Sequence, residues 1–235
     1  MKRGLRTFAR RMATRPGRLR EISSEGKMDF RRTLRSSLKS GGHMMDLRLV
    51  RPKISKSNLV FLCDVSGSMD AFSDKILRLL HYTSNTVRGT DVYAFSTQLV
   101  SLNKYIRGKS LSEATRLVSK NVDIWGSGTR IGTALGLLFS KYPGALRQST
   151  VLVIISDGWE LGDLELFRMR LGEVKRHVAK LVWFNPQADS PDFSPISAGM
   201  KSALPFVDFF SGLGVFWDRV QFEGAFGKAM YRVTK

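Results

Sequence analysis

The stretch Leu59-Val60-Phe61-Leu62-Cys63-Asp64-Val65-Ser66-Gly67-Ser68 decides the fold. It opens with five consecutive apolar residues, a pattern typical of a strand that is buried on both faces of a parallel sheet. The single cysteine of the chain, Cys63, lies in this run and is expected to be a small buried strand residue. One cysteine cannot form an intrachain disulfide, which fits a reducing compartment.

Three further apolar runs follow, and helical patterns separate them. Strands are predicted at 59–64, 91–96, 150–156 and 180–185, and helices at 74–87, 131–142 and 164–178. Strands that alternate with helices of this length indicate βαβ units. Residues 98–102 follow their neighbour too closely for a crossover helix, so we expect a hairpin edge strand there. The predicted fold is therefore a doubly wound, mostly parallel α/β sheet with helices on both faces.

Polar side chains follow the first of these strands at alternate positions. Asp64, Ser66 and Ser68 place one carboxylate and two hydroxyls in five residues, and Gly67 allows the turn unusual dihedral angles. Ligands of open parallel sheets bind at the carboxyl ends of strands. Hard oxygen groups without His or Cys favour Mg²⁺, or another hard divalent cation such as Mn²⁺ or Ca²⁺, over Zn²⁺.

Two more oxygen ligands are predicted downstream, again at strand ends or helix starts. Thr129 lies in the glycine-rich stretch Gly126-Ser127-Gly128-Thr129-Arg130-Ile131-Gly132, which opens a predicted helix. Asp157 lies in Ser156-Asp157-Gly158, directly after an apolar strand. Three separate loops therefore each supply oxygen ligands suited to one hard cation.

This set of residues resembles the metal-ion-dependent adhesion site (MIDAS) of von Willebrand factor A (VWA) domains, over roughly residues 57–210. The matching positions are Asp64-x-Ser66-x-Ser68, then Thr129, then Asp157. The resemblance implies that Ser66, Ser68 and Thr129 coordinate the metal directly, while Asp64 and Asp157 act mostly through water. It also implies an open coordination position, which an Asp or Glu of a partner protein fills.

A narrower resemblance is to the CoxE-like branch of VWA proteins. It rests on the arginine stretch at 31–38 followed by Gly41-Gly42, on Gly128 to Gly132, on Ile155 to Trp159, on Trp183-Phe184-Asn185-Pro186, and on Gly199-Met200 with Ala203 to Asp208. The resemblance implies a partner ATPase of the MoxR-type AAA+ class. It also implies a role in maturing or remodelling a metalloenzyme client.

The positive charge of the chain is concentrated at its beginning. The net charge is +18, but residues 1–56 hold 17 Lys/Arg against 4 Asp/Glu, leaving +5 for residues 57–235. We interpret residues 1–56 as a basic, largely extended N-terminal arm with one short helix near 29–38. Three roles stay open for this arm: docking an acidic partner such as the ATPase, binding nucleic acid through phosphates, or acting as a solvated tail.

The expected organisation is this N-terminal arm, a VWA domain at 57–210 and a helical C-terminal tail at 211–235. We predict no enzymatic activity, because position 66 lacks the second acid of a phosphatase and no G-x-S-x-G elbow is present. Gly108-Lys109-Ser110 lacks the first glycine of a P-loop, since position 103 is Asn. No run approaches the roughly 18 apolar residues that span a bilayer.

The N-terminal twenty residues contain no apolar core of a secretory signal. Their arginines and lack of acids leave a mitochondrial transit peptide as an alternative. A cytoplasmic protein is the default expectation.

Overall fold

The computed structural model describes residues 14–39, 47–122 and 128–216. It divides into two compact units at the boundary between Lys56 and Ser57. The predicted helical tail lies outside the described residues from position 217 onward. Its first residues, 211–216, contain the end of a strand and the 3₁₀ turn Gly214–Phe216.

The small unit comprises residues 14–56, and its described residues, 14–39 and 47–56, contain a three-stranded antiparallel sheet and one helix. The strands are β1 (Thr14–Ser23), β2 (Lys27–Met28) and β3 (Leu49–Lys56), in the order β1-β3-β2. The helix α1 (Phe30–Lys39) begins after Asp29, whose Oδ1 accepts a hydrogen bond from the backbone N–H of Arg32 at 3.1 Å. The sequence predicted the helix and extended chain around it, but not the pairing of that extended chain into a sheet.

The second unit, called here the α/β unit (residues 57–216), contains a six-stranded sheet. Its strands are β4 (Asn58–Asp64), β5 (Thr90–Phe95), β6 (Leu99–Ser101), β7 (Thr150–Ile155), β8 (Lys180–Phe184) and β9 (Phe209–Ser211). The order is β6-β5-β4-β7-β8-β9, and only the hairpin edge strand β6 runs antiparallel to its neighbour. The predicted mostly parallel sheet and its hairpin edge strand are confirmed.

Helices cover both faces of this sheet. They are α2 (Ser73–Thr86), α3 (Asn103–Ile106), α4 (Leu111–Asn121), α5 (Ile131–Lys141), α6 (Leu164–His177) and α7 (Ala198–Ala203). Leu59, Phe61 and Cys63 of β4 face the core under α2, α3 and α4, whereas Val60 and Leu62 face the core under α5, α6 and α7. Burial of alternate residues on opposite faces explains why the strand is apolar throughout.

Helices α3, α4 and α7 and strand β9 were not predicted. Helix α4 carries a capping signal in Ser110 and Glu113, where the Ser110 hydroxyl accepts a hydrogen bond from the Glu113 N–H at 3.2 Å. Strand β9 has three residues, too few to show a period, and it forms by pairing with β8. Within the described ranges the longest helices, α2 and α6, have 14 residues each, and no helix has the length and apolar character to cross a bilayer.

Candidate metal centre

The predicted ligands meet where the central strands β4 and β7 end. These strands are parallel neighbours, and Cys63 lies opposite Ile155 in their register. The next residues in each strand, Asp64 and Ser156, are therefore side by side at the carboxyl edge of the sheet. Such an edge is the usual place for a ligand in an open α/β sheet.

Asp64 is buried at this edge, and each of its carboxylate oxygens accepts a hydrogen bond. Its Oδ1 accepts from the backbone N–H of Ser66 at 2.9 Å, and its Oδ2 accepts from the Ser156 hydroxyl at 2.7 Å. Burial raises the pKa of the Asp64 carboxyl; these hydrogen bonds oppose that rise, and the nearby charge of Asp157 adds to it. Two carboxylates that repel each other at one buried edge favour a cation between them.

The two serines of the first loop converge as the alternate spacing predicts. The Oγ atoms of Ser66 and Ser68 lie 3.3 Å apart, with Ser66 buried and Ser68 exposed. The 3₁₀ turn Gly67–Phe72 follows directly and leads into α2, with Met69 anchored in the core. The loop thus presents one hydroxyl at the inside and one at the rim of the same edge.

Asp157 offers a free acceptor atom. Its Oδ1 accepts a hydrogen bond from the backbone N–H of Trp159 at 3.1 Å, whereas its buried Oδ2 has no hydrogen-bond partner. A buried carboxylate oxygen without a partner is costly, and bound cations relieve such a cost. The loop is held by Trp183, whose Nε1 donates to the Ser156 carbonyl at 2.9 Å, and by Asn185, whose Nδ2 donates to the Asp157 carbonyl at 3.0 Å.

Backbone hydrogen bonds bring Thr129 to this edge, and its side chain is buried. The Thr129 carbonyl accepts from the Leu161 N–H at 2.9 Å, and the following residue, Arg130, donates its N–H to the Ser96 carbonyl at 3.0 Å. Thr129 is therefore tied both to the end of β5 and to the loop after β7. Gly126 and Ser127 of the same predicted loop lie outside the described residues.

Glu160 is a structural residue of this edge that the sequence did not reveal. Its Oε2 accepts from the N–H groups of Ile131 and Gly132 at 2.6 and 3.1 Å, and its Oε1 accepts from Gly162 at 2.7 Å. The carboxylate caps α5 from another loop and so ties the Thr129 segment to the Asp157 segment. Burial raises the pKa of Glu160, against the lowering effect of these hydrogen bonds.

The donor set fits a hard divalent cation. It combines two buried carboxylates with three hydroxyls, a set that favours Mg²⁺ or a related ion over Zn²⁺. Among residues 14–39, 47–122 and 128–216, no three His, Cys, Asp or Glu side chains cluster closely enough to hold a metal by themselves. Any cation at this edge would therefore take hydroxyl oxygens among its ligands. Ser156 is the further residue that the structure adds, through its bond to Asp64.

The chain is similar to solved structures of low sequence identity. No curated protein matches the chain. Among solved structures, it is similar to a von Willebrand factor type A protein from Catenulispora acidiphila, with 16% identity and a TM-score of 0.46 over 76% of this chain. The chain spans 42% of the length of that protein.

Two other solved structures show a comparable likeness. One is the manganese-loaded TRAP protein of Plasmodium vivax, with 17% identity and a TM-score of 0.42, covering 66% of this chain and 67% of that one. The other is an aerotolerance-related membrane protein from Bacteroides fragilis, with 16% identity and a TM-score of 0.44, covering 74% and 99%.

The match to a family model covers most of the chain and names a specific family. Residues 1–214 match the model described as VWA domain containing CoxE-like protein, so the match includes the small unit and the α/β unit up to residue 214. It also includes all the residues of the edge described above. The chain therefore belongs to the family of VWA domain containing CoxE-like proteins.

Proposed function

We propose that this protein is a metal-dependent, non-catalytic adaptor that binds a partner protein through one divalent cation. The cation, Mg²⁺ or another hard ion such as Mn²⁺ or Ca²⁺, would be held by Asp64, Ser66, Ser68, Thr129 and Asp157. The observation that carries this proposal is the buried Oδ2 of Asp157, which has no hydrogen-bond partner. A cation beside it would satisfy that oxygen and reduce the repulsion between Asp64 and Asp157.

The chemistry of the site suits capture of an acidic side chain. If Asp64 and Asp157 act mostly through water and the three hydroxyls coordinate directly, a bound divalent ion stays net positive at its open position and attracts one more carboxylate. The Ser68 hydroxyl is exposed, so the edge is open to a partner on that side. A partner Asp or Glu would complete the shell, and the affinity would depend on the metal.

Family membership supports a more specific role. CoxE-like VWA proteins resemble adaptors that work with a MoxR-type AAA+ ATPase in maturation or remodelling of a metalloenzyme. We propose that the ATPase supplies the energy and this protein recognises the client, in the cytoplasm. This step rests on family resemblance.

Retention of a partner from source lysate tests the adaptor role. We expect an ATPase or a metalloenzyme to be retained by the wild-type protein in Mg²⁺ and released by EDTA. Asp157→Asn should lose that retention at least about ten-fold, because it removes the charge while keeping an acceptor for the Trp159 N–H. Glu113→Gln is the matched control, since it removes one exposed charge from α4 and a surface ion pair contributes little. The proposal would be refuted if Asp157→Asn in EDTA retained the same partner as well as the wild-type protein does in Mg²⁺.

Helix α1 indicates what the N-terminal arm binds. It buries the hydroxyl residues Thr33 and Ser37, while Phe30, Leu34 and Leu38 are 63%, 48% and 71% exposed. These three lie four residues apart and form one apolar stripe. A solvent-facing apolar stripe beside arginines favours an acidic protein surface over a phosphate backbone, so we propose protein docking as the role of the arm. Nucleic-acid binding is the competing hypothesis.

A double substitution in the stripe separates these two hypotheses. Leu34→Ser with Leu38→Ser should weaken partner retention by about ten-fold, because the partner would no longer bury these two leucine side chains on binding. The double substitution should leave Mg²⁺ affinity unchanged. Met169→Ser, which removes an exposed apolar side chain from α6, is the control. Recovery of nucleic acid that is insensitive to the double substitution and lost at high salt would instead support the phosphate-binding role.

A further inference from the structure

A groove adjoins the candidate metal centre on the side of Asp157. It has a volume of about 310 Å³ and lies between the loop after β7 and the segment 187–197 that precedes α7. Asp157 forms part of its wall, and Trp159, Phe193, Ile196 and Met200 supply most of its apolar lining. A partner segment bound at the metal edge therefore has this groove as its immediate neighbour.

The groove is flanked by large apolar side chains that face solvent. Trp159 is 58% exposed and Ile196 is 72% exposed, and Leu161, which is also exposed, donates its N–H to Thr129 at the same edge. Within the described part of the α/β unit, the one other large apolar side chain with comparable exposure is Met169 on α6. Concentration of exposed apolar residues beside a candidate binding site is typical of an interaction surface.

Hydrogen bonds and close packing hold the groove walls in place. The Ser197 hydroxyl donates to the Gly158 carbonyl at 3.1 Å and accepts from the Met200 N–H at 3.2 Å, which joins α7 to the metal loop. On the opposite side, the ring of Phe193 stacks on Phe210 with centroids 6.1 Å apart. A groove that exists before binding loses little entropy when it is filled.

The charges in the groove limit what it accepts. Its ionisable lining residues are Asp157 and Asp192, both acidic. An acidic side chain placed there would meet repulsion, whereas an uncharged side chain would bury the faces of Trp159 and Ile196. The groove thus rejects the kind of group that the metal attracts, so the two neighbouring subsites differ in chemistry.

We propose that the groove binds a large apolar side chain next in sequence to the Asp or Glu that the partner gives to the metal. The recognised element is then an acidic residue adjacent to Phe, Leu or Met in one short segment, whose backbone turns so that both side chains face this surface. This inference rests on the proposed metal-dependent function and adds the second determinant of partner choice. An aromatic or aliphatic anchor in a pocket is the usual source of affinity at such interfaces.

Short synthetic peptides test the pairing, with binding followed by NMR titration of the full-length protein in Mg²⁺. The probes are acetyl-Gly-Phe-Asp-Gly-amide and acetyl-Gly-Asp-Phe-Gly-amide, which cover both orders. Controls replace Phe with Ser or with Glu, or Asp with Asn. We expect one order to bind about ten-fold more tightly than its Ser control, because burial of one large apolar side chain contributes about 1.4 kcal/mol or more. The Glu control should bind more weakly than the Ser control.

Ile196→Ser is the decisive variant, since Ile196 is exposed and its loss leaves the core intact. It should remove the preference for Phe while preserving Mg²⁺ affinity, measured by calorimetry, and preserving binding of the Ser peptide. Met169→Ser should retain the preference. If Phe and Ser peptides bind equally in Mg²⁺, the groove proposal is wrong and the metal-dependent function stands. If no peptide needs Mg²⁺, or Mg²⁺ does not bind, the proposed function itself fails.

Discussion

Asp64→Asn is expected to abolish Mg²⁺ binding and, at the same time, to raise the melting temperature of the metal-free protein. Asparagine has the same shape as aspartate, so its Oδ1 keeps the bond from the Ser66 N–H. Its Nδ2 reverses the bond to Ser156: the hydroxyl, which donates to Asp64 and accepts from the Gly158 N–H, would then accept from Nδ2 as well. The charge that burial penalises disappears, and with it the repulsion from Asp157. Buried charge at an empty metal site lowers the free energy of unfolding, so removal of one charge should stabilise the metal-free protein.

Thermal unfolding in EDTA and in Mg²⁺, together with calorimetry, measures both effects. The wild-type protein should melt at a higher temperature in Mg²⁺ than in EDTA, because a cation that binds the folded state stabilises it by mass action. Asp64→Asn should melt a few degrees above the wild type in EDTA, since about 1 kcal/mol shifts the melting temperature of such a domain by roughly 2–4 °C. It should show no response to Mg²⁺. A remaining Mg²⁺ response would show that the ion binds elsewhere.

Gly199→Ala is expected to destabilise the protein by about 1–3 kcal/mol, the range of overpacking at a tight contact. A Cβ at Gly199 would lie 2.2 Å from the carbonyl oxygen of Gly158, which is backbone and cannot rotate away. Helix α7 would have to move from the loop that carries Asp157. We therefore also expect weaker Mg²⁺ binding, by about ten-fold or more.

Gly172→Ala on α6 is the matched control for this prediction. A Cβ there would make an ordinary contact, 3.6 Å from the ring of Phe206, so alanine should be neutral or stabilising by up to about 1 kcal/mol. Gly172 lies in the interior of α6 and Gly199 in the first turn of α7, and at neither position does helix propensity disfavour alanine. A loss of stability confined to Gly199→Ala would identify the contact with Gly158 as its cause. Equal stability of both variants would contradict the proposed close packing.

The positions of the candidate ligands followed from local sequence to a large extent. A continuous apolar run predicted that β4 would be buried on both faces, and the alternate spacing of Ser66 and Ser68 predicted that their hydroxyls would converge, as the 3.3 Å separation of the Oγ atoms confirms. The helix predicted at 74–87 is α2, and its buried residues Ile76, Leu79, Leu80 and Thr83 follow the three- and four-residue spacing of one helical face. Metal coordination by these ligands stays a prediction.

Other features of the edge carried no local signal. The bond from Ser156 to Asp64 joins residues 92 positions apart in sequence, and it exists because β4 and β7 are paired in a particular register. The cap that Glu160 places on α5 joins two loops in the same way. The groove beside Asp157 exists because α7 packs against Gly158, a contact that depends on the absence of a side chain at Gly199.

The sequence by itself determined the order of strands β4 to β8, the positions of helices α1, α2, α5 and α6, and the loops in which hard oxygen ligands occur. These properties have a period of two to four residues, so they can be read along the chain. Only the tertiary structure decided which loops share hydrogen bonds, which carboxylate oxygen is buried without a partner, and which apolar side chains stay exposed. Those properties depend on strand register and helix packing, which bring residues together irrespective of their spacing in the sequence.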